Sequence, residues 1–275
     1  MKKLVLPLLL TILFSVAAIA QIKYSHTVSS GTFTPLVGST TFTWGTGTGT
    51  DDRFSEPTPI GFTFNYNGEA FTEFQVSTEG FIRLGTGLAS SVFGNALNGT
   101  VRRVIAPFCD DLNTDSLNSI TFQVSGTTPN QVLTVEWKDV KWPRTNTTGN
   151  VRFQVKLYEA DGKIEFVYGA FGQFSTTTGM SASIGLSDNT VINTANQASG
   201  TFLSIKMAGT AGNRVYHKSM AQEFANLNNL NVIDENTVFT FMPVTAAPIA
   251  AGTYTVGGAT PDFASLSDAA VALNT

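Results

Sequence analysis

The feature that most constrains this chain is the alternation of apolar and polar residues over short runs. In residues 151–157 every second position is apolar, and the same spacing returns in residues 164–168, after Asp161-Gly162. A period of two places successive side chains on opposite faces of a strand, and Asp-Gly is a preferred pair in tight hairpin turns. These residues therefore predict an antiparallel hairpin with one buried face.

The same periodicity recurs along most of the chain. Further strands are predicted at residues 62–66, 74–77, 81–84, 120–124, 132–137, 182–186, 201–207 and 237–242. The helix signal within this part is weak and covers residues 218–227. Many short strands separated by Gly, Asn and Thr turns predict an all-β fold, an antiparallel β-sandwich of jelly-roll-like type, over residues 21–243.

The first twenty residues have the pattern of a secretory signal peptide. Lys2 and Lys3 precede an apolar run over residues 4–19, and Ala18-Ile19-Ala20 supplies the small-x-small pattern at which signal peptidase cuts. We assign residues 1–20 to a signal peptide and expect a secreted protein, extracellular or at the cell surface. The run is shorter than the roughly 20 residues of a bilayer span, and no membrane span is expected after its removal.

The sequence changes character after the predicted sandwich. Residues 244–251 are rich in Pro and Ala and are predicted to be a linker. Residues 252–256 alternate as a short strand does, and Thr260-Pro261 precedes apolar residues at helical spacing. We expect residues 252–275 to begin a second domain with a strand and an amphipathic helix.

Charge and composition exclude several partners. The chain has 16 basic and 20 acidic side chains, and removal of Lys2 and Lys3 leaves 14 against 20. An acidic chain with no basic cluster larger than Arg102-Arg103 is poorly suited to phosphate backbones, so nucleic acid is not an expected partner. The single Cys109 cannot form a disulfide within its own chain. Stability must come from packing, and the 21 Phe residues are the obvious material.

Catalytic constellations are poorly represented. His26 and His217 are the only imidazoles, and the G-x-S-x-G pattern of serine hydrolases is absent. Two His and one Cys cannot supply a zinc site. The carboxyl pair of a glycosidase would have to come from Glu136, Glu159 and Glu165, which alternate with apolar residues and are expected on solvated faces. We therefore expect no enzyme activity.

One motif has the spacing of a calcium loop. Asp111, Asn113 and Asp115 form D-x-N-x-D, which directs alternate oxygens at one hard cation. Ser116 replaces the glycine of the complete motif, and Phe122 replaces its bidentate glutamate. The alternative is a solvated acidic loop with Asx turns. A structural calcium ion is the only cofactor that the sequence suggests.

Tryptophan residues suggest a second kind of ligand. Trp44 and Trp142 could stack on sugar rings, and the pair Trp142-Pro143 at a strand end is predicted to be exposed. Trp137 alternates with apolar residues and is better explained as a core residue. The partner predicted from these features is an extracellular glycan or a protein surface.

Two stretches resemble a known family. Residues 101–112, VRRVIAPFCDDL, resemble the IAPFWDDL block in the N-terminal β domain of large surface proteins that Gram-negative bacteria secrete by the type IX route. This block is also loosely similar to the nidogen-type extracellular module, although Cys109 replaces its usual aromatic residue. Residues 252–274 resemble the segment that opens β-helix or repeat regions in such proteins. The resemblance implies that residues 252–275 start a truncated β-helix-like domain.

The resemblance also implies a function. Adhesion or presentation is the expected role of the N-terminal domain in such proteins. We therefore predict a secreted, non-catalytic cell-surface adhesion or scaffolding module of a larger protein. The alternative is a carbohydrate-binding module attached to a polysaccharide-degrading enzyme, for which an exposed aromatic pair on a sheet face would be the signature.

Overall fold

The computed structural model describes nine parts of the chain. These are residues 22–46, 49–87, 97, 101–172, 180–188, 202–208, 214–219, 225–227 and 232–244. All of them fall within the unit Ala20–Ala247. The predicted signal peptide and the predicted second domain lie outside the described residues, as does the predicted linker except for Val244. Those assignments stay predictions.

The described residues form fifteen strands and one 3-10 turn, Leu117–Ser119. The strands are β1 (Tyr24–Ser30), β2 (Thr40–Thr41), β3 (Thr58–Tyr66), β4 (Glu69–Ser77), β5 (Phe81–Leu84), β6 (Val104–Cys109), β7 (Ile120–Ser125), β8 (Val132–Val140), β9 (Val151–Tyr158), β10 (Ile164–Tyr168), β11 (Met180–Ser187), β12 (Phe202–Ala208), β13 (Val215–Ser219), β14 (Ala225–Leu227) and β15 (Thr237–Pro243). They form two sheets.

The first sheet has the order β1-β15-β10-β9-β8-β7-β2, and the second has the order β13-β12-β11-β6-β5-β4-β3, with β14 paired to β11. All of the strand pairs are antiparallel. The inward faces of the sheets contribute alternate apolar residues to the main core, as in β3, whose buried and exposed residues alternate along its whole length. The predicted all-β sandwich is confirmed.

The hairpin predicted from the strongest alternation is confirmed residue by residue. Strand β9 places Phe153 opposite Tyr168 of β10, and Val155 opposite Phe166. These four side chains are fully buried. Because the apolar positions of both strands face the same side, the register follows from the sequence pattern.

Aromatic side chains connect the two sheets through their polar atoms. The Trp137 indole of β8 donates a hydrogen bond to the Ser77 carbonyl at the end of β4, with a distance of 2.9 Å. The Tyr168 hydroxyl of β10 donates to the Pro107 carbonyl of β6 at 2.6 Å. Trp137 also stacks on Phe153, with ring centroids 5.1 Å apart. The polar atoms of Trp137 and Tyr168 are therefore satisfied across the sandwich, which helps to fix how the sheets face each other.

A segment after β1 covers part of the outer face of the first sheet. The Gln154 amide donates hydrogen bonds to the Thr34 carbonyl and to Glu136, and the Leu36 amide donates to Glu136 at 2.8 Å. Glu136 is only 2% exposed. The prediction that Glu136 lies on a solvated face was therefore wrong. Alternation identified its face correctly but could not show that another segment covers it.

The weak helix prediction over residues 218–227 was also wrong where the structure describes it. Lys218 belongs to β13, which pairs with β12, and Ala225–Leu227 forms β14. Pairing with neighbouring strands overrides a weak helical preference.

The chain enters and leaves the sandwich at adjacent points. Tyr24 at the start of β1 lies opposite Pro243 at the end of β15. The Val244 amide donates a hydrogen bond to the Lys23 carbonyl at 2.9 Å. Lys23 and Val244 therefore lie side by side at the same end of the β1–β15 pair.

Removal of a core ring tests this packing. Phe153→Ala is expected to lower the free energy of unfolding by about 3–5 kcal/mol, because it removes the ring between Trp137 and Phe108 and leaves a cavity. Val37→Ala is the control, since Val37 is 85% exposed, and its effect should stay within about 0.5 kcal/mol. Urea unfolding followed by tryptophan fluorescence measures both. Equal effects would show that Phe153 is not a core residue.

Candidate functional site

Acidic side chains from three loops approach one another at one end of the sandwich. We call Asp51, Asp52, Glu79 and Asp111 the acidic loop cluster. Carboxylate oxygens of Asp51, Asp52 and Glu79 lie within 4.8 Å of one another. Asp111 is joined to Asp51 through Arg144, which contacts both side chains. The cluster is thus assembled from the loop before β3, the turn between β4 and β5, and the loop after β6.

Glu79 occupies the buried centre of this cluster because of the tight turn that carries it. Gly80 has a φ of +75°, and a Cβ atom there would lie 1.9 Å from the Phe108 carbonyl oxygen. Only glycine allows the turn to approach β6 so closely. The Glu79 carboxyl is fully buried and accepts hydrogen bonds from the Thr78 hydroxyl at 2.8 Å and the Leu112 amide at 2.9 Å.

The two aspartates leave acceptor atoms unsatisfied. The Oδ1 atoms of Asp51 and Asp52 are buried and have no hydrogen-bond donor within the described residues. Arg144 Nη1 lies 2.8 Å from Asp51 Oδ2, and its Nε lies 3.1 Å from Asp111 Oδ2. Arg144 is thus shared between two of the four carboxyls, and within the described residues neither buried Oδ1 atom receives a hydrogen bond.

This environment raises the pKa of Glu79 and of Asp52 and so favours their protonated forms. Burial raises the pKa of Glu79 to about 8, and the nearby Asp52 and Asp51 add to the effect, while hydrogen bonds from Thr78 and Leu112 oppose it. Burial and the charges of Asp51 and Asp111 also raise the pKa of Asp52, against the effect of Arg144. A cation would relieve the same repulsion that the protons relieve, and carboxylate oxygens are the ligands that calcium prefers.

The residues of the predicted calcium motif have separate partners. Asp111 contacts Arg144, whereas the Asp115 carboxylate lies 2.5 Å from the Lys141 ammonium. The Asn113 side-chain oxygen accepts a hydrogen bond from Thr50 at 3.2 Å. Asp111 is therefore the motif residue that adjoins the acidic loop cluster. A calcium ion held by all three motif residues stays a prediction.

Sequence reasoning missed the other members of the cluster. Asp51 and Asp52 were visible only as an acidic pair after a Gly/Thr run, and Glu79 lies in a turn between two apolar strands. The Glu79-Gly80 pair between those strands was the available signal, since a positive-φ glycine marks a close backbone approach. Nothing in the spacing shows that a segment near position 51 approaches that turn.

The tryptophans predicted to bind a ligand do not form an exposed pair. Trp142 is fully buried, donates a hydrogen bond to Asp110 at 2.6 Å, and packs edge-on against Phe108. The prediction that Trp142 is exposed was therefore wrong, because the strand end folds against β6. Trp44 is partly buried and packs against Phe42, with ring centroids 6.0 Å apart.

The remaining candidate groups lie apart and have structural partners. Glu159 accepts a hydrogen bond from the Gln131 amide at 3.0 Å. Glu165 accepts one from the Tyr158 hydroxyl at 2.5 Å and contacts Lys163. These two carboxyls therefore stabilise turns and strand pairs at their own positions.

His26 lies on the rings of Phe239 and Phe241, with centroids 5.7 and 5.4 Å away. Burial, assisted by the charge of Lys218, lowers its pKa to about 4. A neutral imidazole packed on two phenylalanine rings is typical of a core-edge position rather than of a general base held by a carboxylate.

The fold and the loop end define a two-sheet antiparallel β module in which one buried carboxyl, Glu79, lies among three partly exposed aspartates. A family model described as NIDO related matches residues 23–243, so the chain belongs to the NIDO-related family. The domain is accordingly an extracellular-type module, which agrees with the loose resemblance of the IAPFCDDL block to nidogen-type domains. Comparison with curated proteins and with solved structures gave no match.

No helix in the described ranges is long and apolar enough to cross a membrane.

The buried carboxyl predicts a pH dependence of stability. Between the ordinary pKa of a glutamate, about 4.3, and the value near 8 in the folded state, the folded chain keeps a proton that the unfolded chain has released. Stability should therefore fall as the pH rises through this window, and Glu79→Gln should remove most of that decline. Glu73→Gln, on the exposed face of β4, is the control.

Urea midpoints measured from about pH 5 to about pH 8 give the comparison. A Glu79→Gln variant that keeps the wild-type slope would show that another group causes it.

Proposed function

We propose that this protein is a non-catalytic adhesion or scaffolding module that acts outside the cell or at its surface as part of a larger protein. Membership of an extracellular-type family supports the location. The observation that carries the functional proposal is that the candidate catalytic groups are used to hold the fold together.

The candidate carboxyls Glu136 and Glu159 have partners that a reaction would have to displace. Glu136 accepts hydrogen bonds beneath the segment that covers its sheet, and Glu159 fixes the Gln131 amide. The Cys109 thiol is buried in a small apolar cluster, and burial raises its pKa well above the ordinary range. A neutral, buried thiol is a weak nucleophile. These groups contribute rigidity, which suits a module that presents surfaces to partners.

A calcium ion at the acidic loop cluster would extend this structural role. Asp51, Asp52 and Glu79 supply oxygens from two loops, and Asp111 adjoins them through Arg144. An ion there would hold the loops together, because its carboxylate ligands come from separate loops. We propose no other cofactor.

Calcium should then stabilise the folded chain. Addition of about 1 mM CaCl2, a concentration suited to extracellular sites, is expected to raise the free energy of unfolding by about 1 kcal/mol. Asp52→Asn should abolish this increase, whereas Glu73→Gln on the exposed face of β4 should retain it. Thermal unfolding with calcium, with magnesium and with a chelator measures the effect. An identical midpoint in all three conditions would rule out the ion.

Binding assays test the functional proposal directly. Beads coated with the secreted chain are expected to attach to extracellular protein surfaces or to cells, and incubation with polysaccharides should release no reducing ends. A glycan array separates adhesion from the carbohydrate-binding alternative. Selective glycan binding that Trp44→Ala abolishes would replace the proposal with a carbohydrate-binding module, and released sugar would replace it with an enzyme.

A further inference from the structure

The outer strands of the two sheets differ in how they discourage the addition of another strand. Strand β2 has only two residues. Strand β3 contains Pro59, a positive-φ Gly61, and a register shift before Phe64. Strand β13 carries Lys218. Short length, proline, irregular register and lysine are the usual means by which sheet edges are kept from pairing.

Strand β1 lacks all of these features. Its seven residues, YSHTVSS, include no Asp, Glu, Lys, Arg, Pro or Gly, and they pair with β15 at seven consecutive positions. Ser25 and residues 27–30 are exposed, and Val28 is 40% exposed. Within the described parts of the chain, β15 is the only strand that pairs with β1. A regular, uncharged and exposed edge of this length is a template for strand addition.

The hydrogen bonds at both ends of β1 show which backbone groups point outward. The Gly31 amide donates to the Asn236 carbonyl, and the Val244 amide donates to the Lys23 carbonyl. In an antiparallel pair, hydrogen-bonded and non-bonded positions alternate along the strand. The odd-numbered residues of β1 therefore direct their backbone N–H and C=O groups toward β15. The even-numbered residues Tyr24, His26, Val28 and Ser30 therefore direct their amide and carbonyl groups away from the sheet.

We propose that β1 pairs antiparallel with β1 of a second copy of this chain, about a twofold axis at Thr27. In this register His26 lies opposite Val28 of the second copy, and Tyr24 lies opposite Ser30. Each opposed outward pair forms two hydrogen bonds, which gives about eight bonds between the copies. The two seven-stranded sheets then become one continuous sheet.

A second copy fits this edge because the strand is complementary to itself. The sequence carries no formal charge, so two antiparallel copies meet without repulsion between like charges. The twofold register places outward-pointing backbone groups opposite outward-pointing groups at every pair. Pairing also covers Val28, the exposed apolar residue of the strand. This association is independent of the role proposed above, since it needs neither an adhesion partner nor the acidic loop cluster.

A charge-pair experiment tests the interface. Thr27 is exposed and faces its own copy at the twofold axis. Thr27→Lys and Thr27→Glu should each weaken the homodimer at least about tenfold, because like charges directly opposite in a sheet repel. An equimolar mixture of the two variants should form a heterodimer. Sedimentation velocity and native mass spectrometry of the secreted chain measure the association, and the unfolding midpoint confirms that each variant is folded.

A backbone variant gives a second test of the same edge. Val28→Pro removes one outward amide donor and leaves the bonds to β15 in place, since proline is tolerated at edge positions whose amide faces solvent. Val28→Thr keeps the amide and is the matched control. The proline variant should be monomeric, and the threonine variant should dimerise as the wild type does.

Three results would overturn the proposal. The first is a wild-type chain that stays monomeric up to its solubility limit. The second is a dimer that neither Thr27 charge variant weakens. The third is a mixture of Thr27→Lys and Thr27→Glu that associates no better than either variant alone.

Discussion

The structure depends on aromatic side chains that lie between the sheets and end on backbone carbonyls of the opposite sheet. Trp137 and Tyr168 bind the carbonyls of Ser77 and Pro107, on β4 and β6. The turn that carries Glu79 directly follows Ser77, and its Gly80 carbonyl accepts a hydrogen bond from the Phe108 amide of β6. The same bonds that hold the sandwich therefore also help to fix the position of the buried carboxyl. A protein without an internal disulfide thus obtains a defined loop end from the packing of its core.

Much of the fold could be predicted, because a strand with one buried face alternates apolar and polar residues in its sequence. Both the strands of the β9–β10 hairpin and their buried faces were predictable, since a register shift of one residue would expose Phe153 and Phe166 to water. The same rule failed for Glu136, because alternation reports the face of a residue and says nothing of what covers that face. The prediction for Trp142 was wrong for a related reason. Trp142 is buried by contact with Phe108 of β6, which lies far from it in the sequence.

The candidate site was less predictable than the fold. The D-x-N-x-D residues lie in the loop after β6, where Asp111 adjoins the acidic loop cluster, and their calcium binding stays a prediction. Glu79 comes from about 30 residues earlier in the chain, and Asp51 and Asp52 come from about 60 residues earlier. The position of Glu79 requires the close approach of Gly80 to Phe108. Local spacing detects ligands on one loop, whereas a site built between loops depends on tertiary contacts that no short motif encodes.

The adjacent attachment of β1 and β15 has a mechanical consequence. Tension transmitted along the polypeptide would act on Lys23 and Val244, whose backbones are bonded to each other at the same end of an antiparallel pair. The load would then break the hydrogen bonds between β1 and β15 one after another instead of shearing all of them together. Strands β1 and β15 would peel apart under a modest force, while the aromatic layers between the sheets remained unloaded.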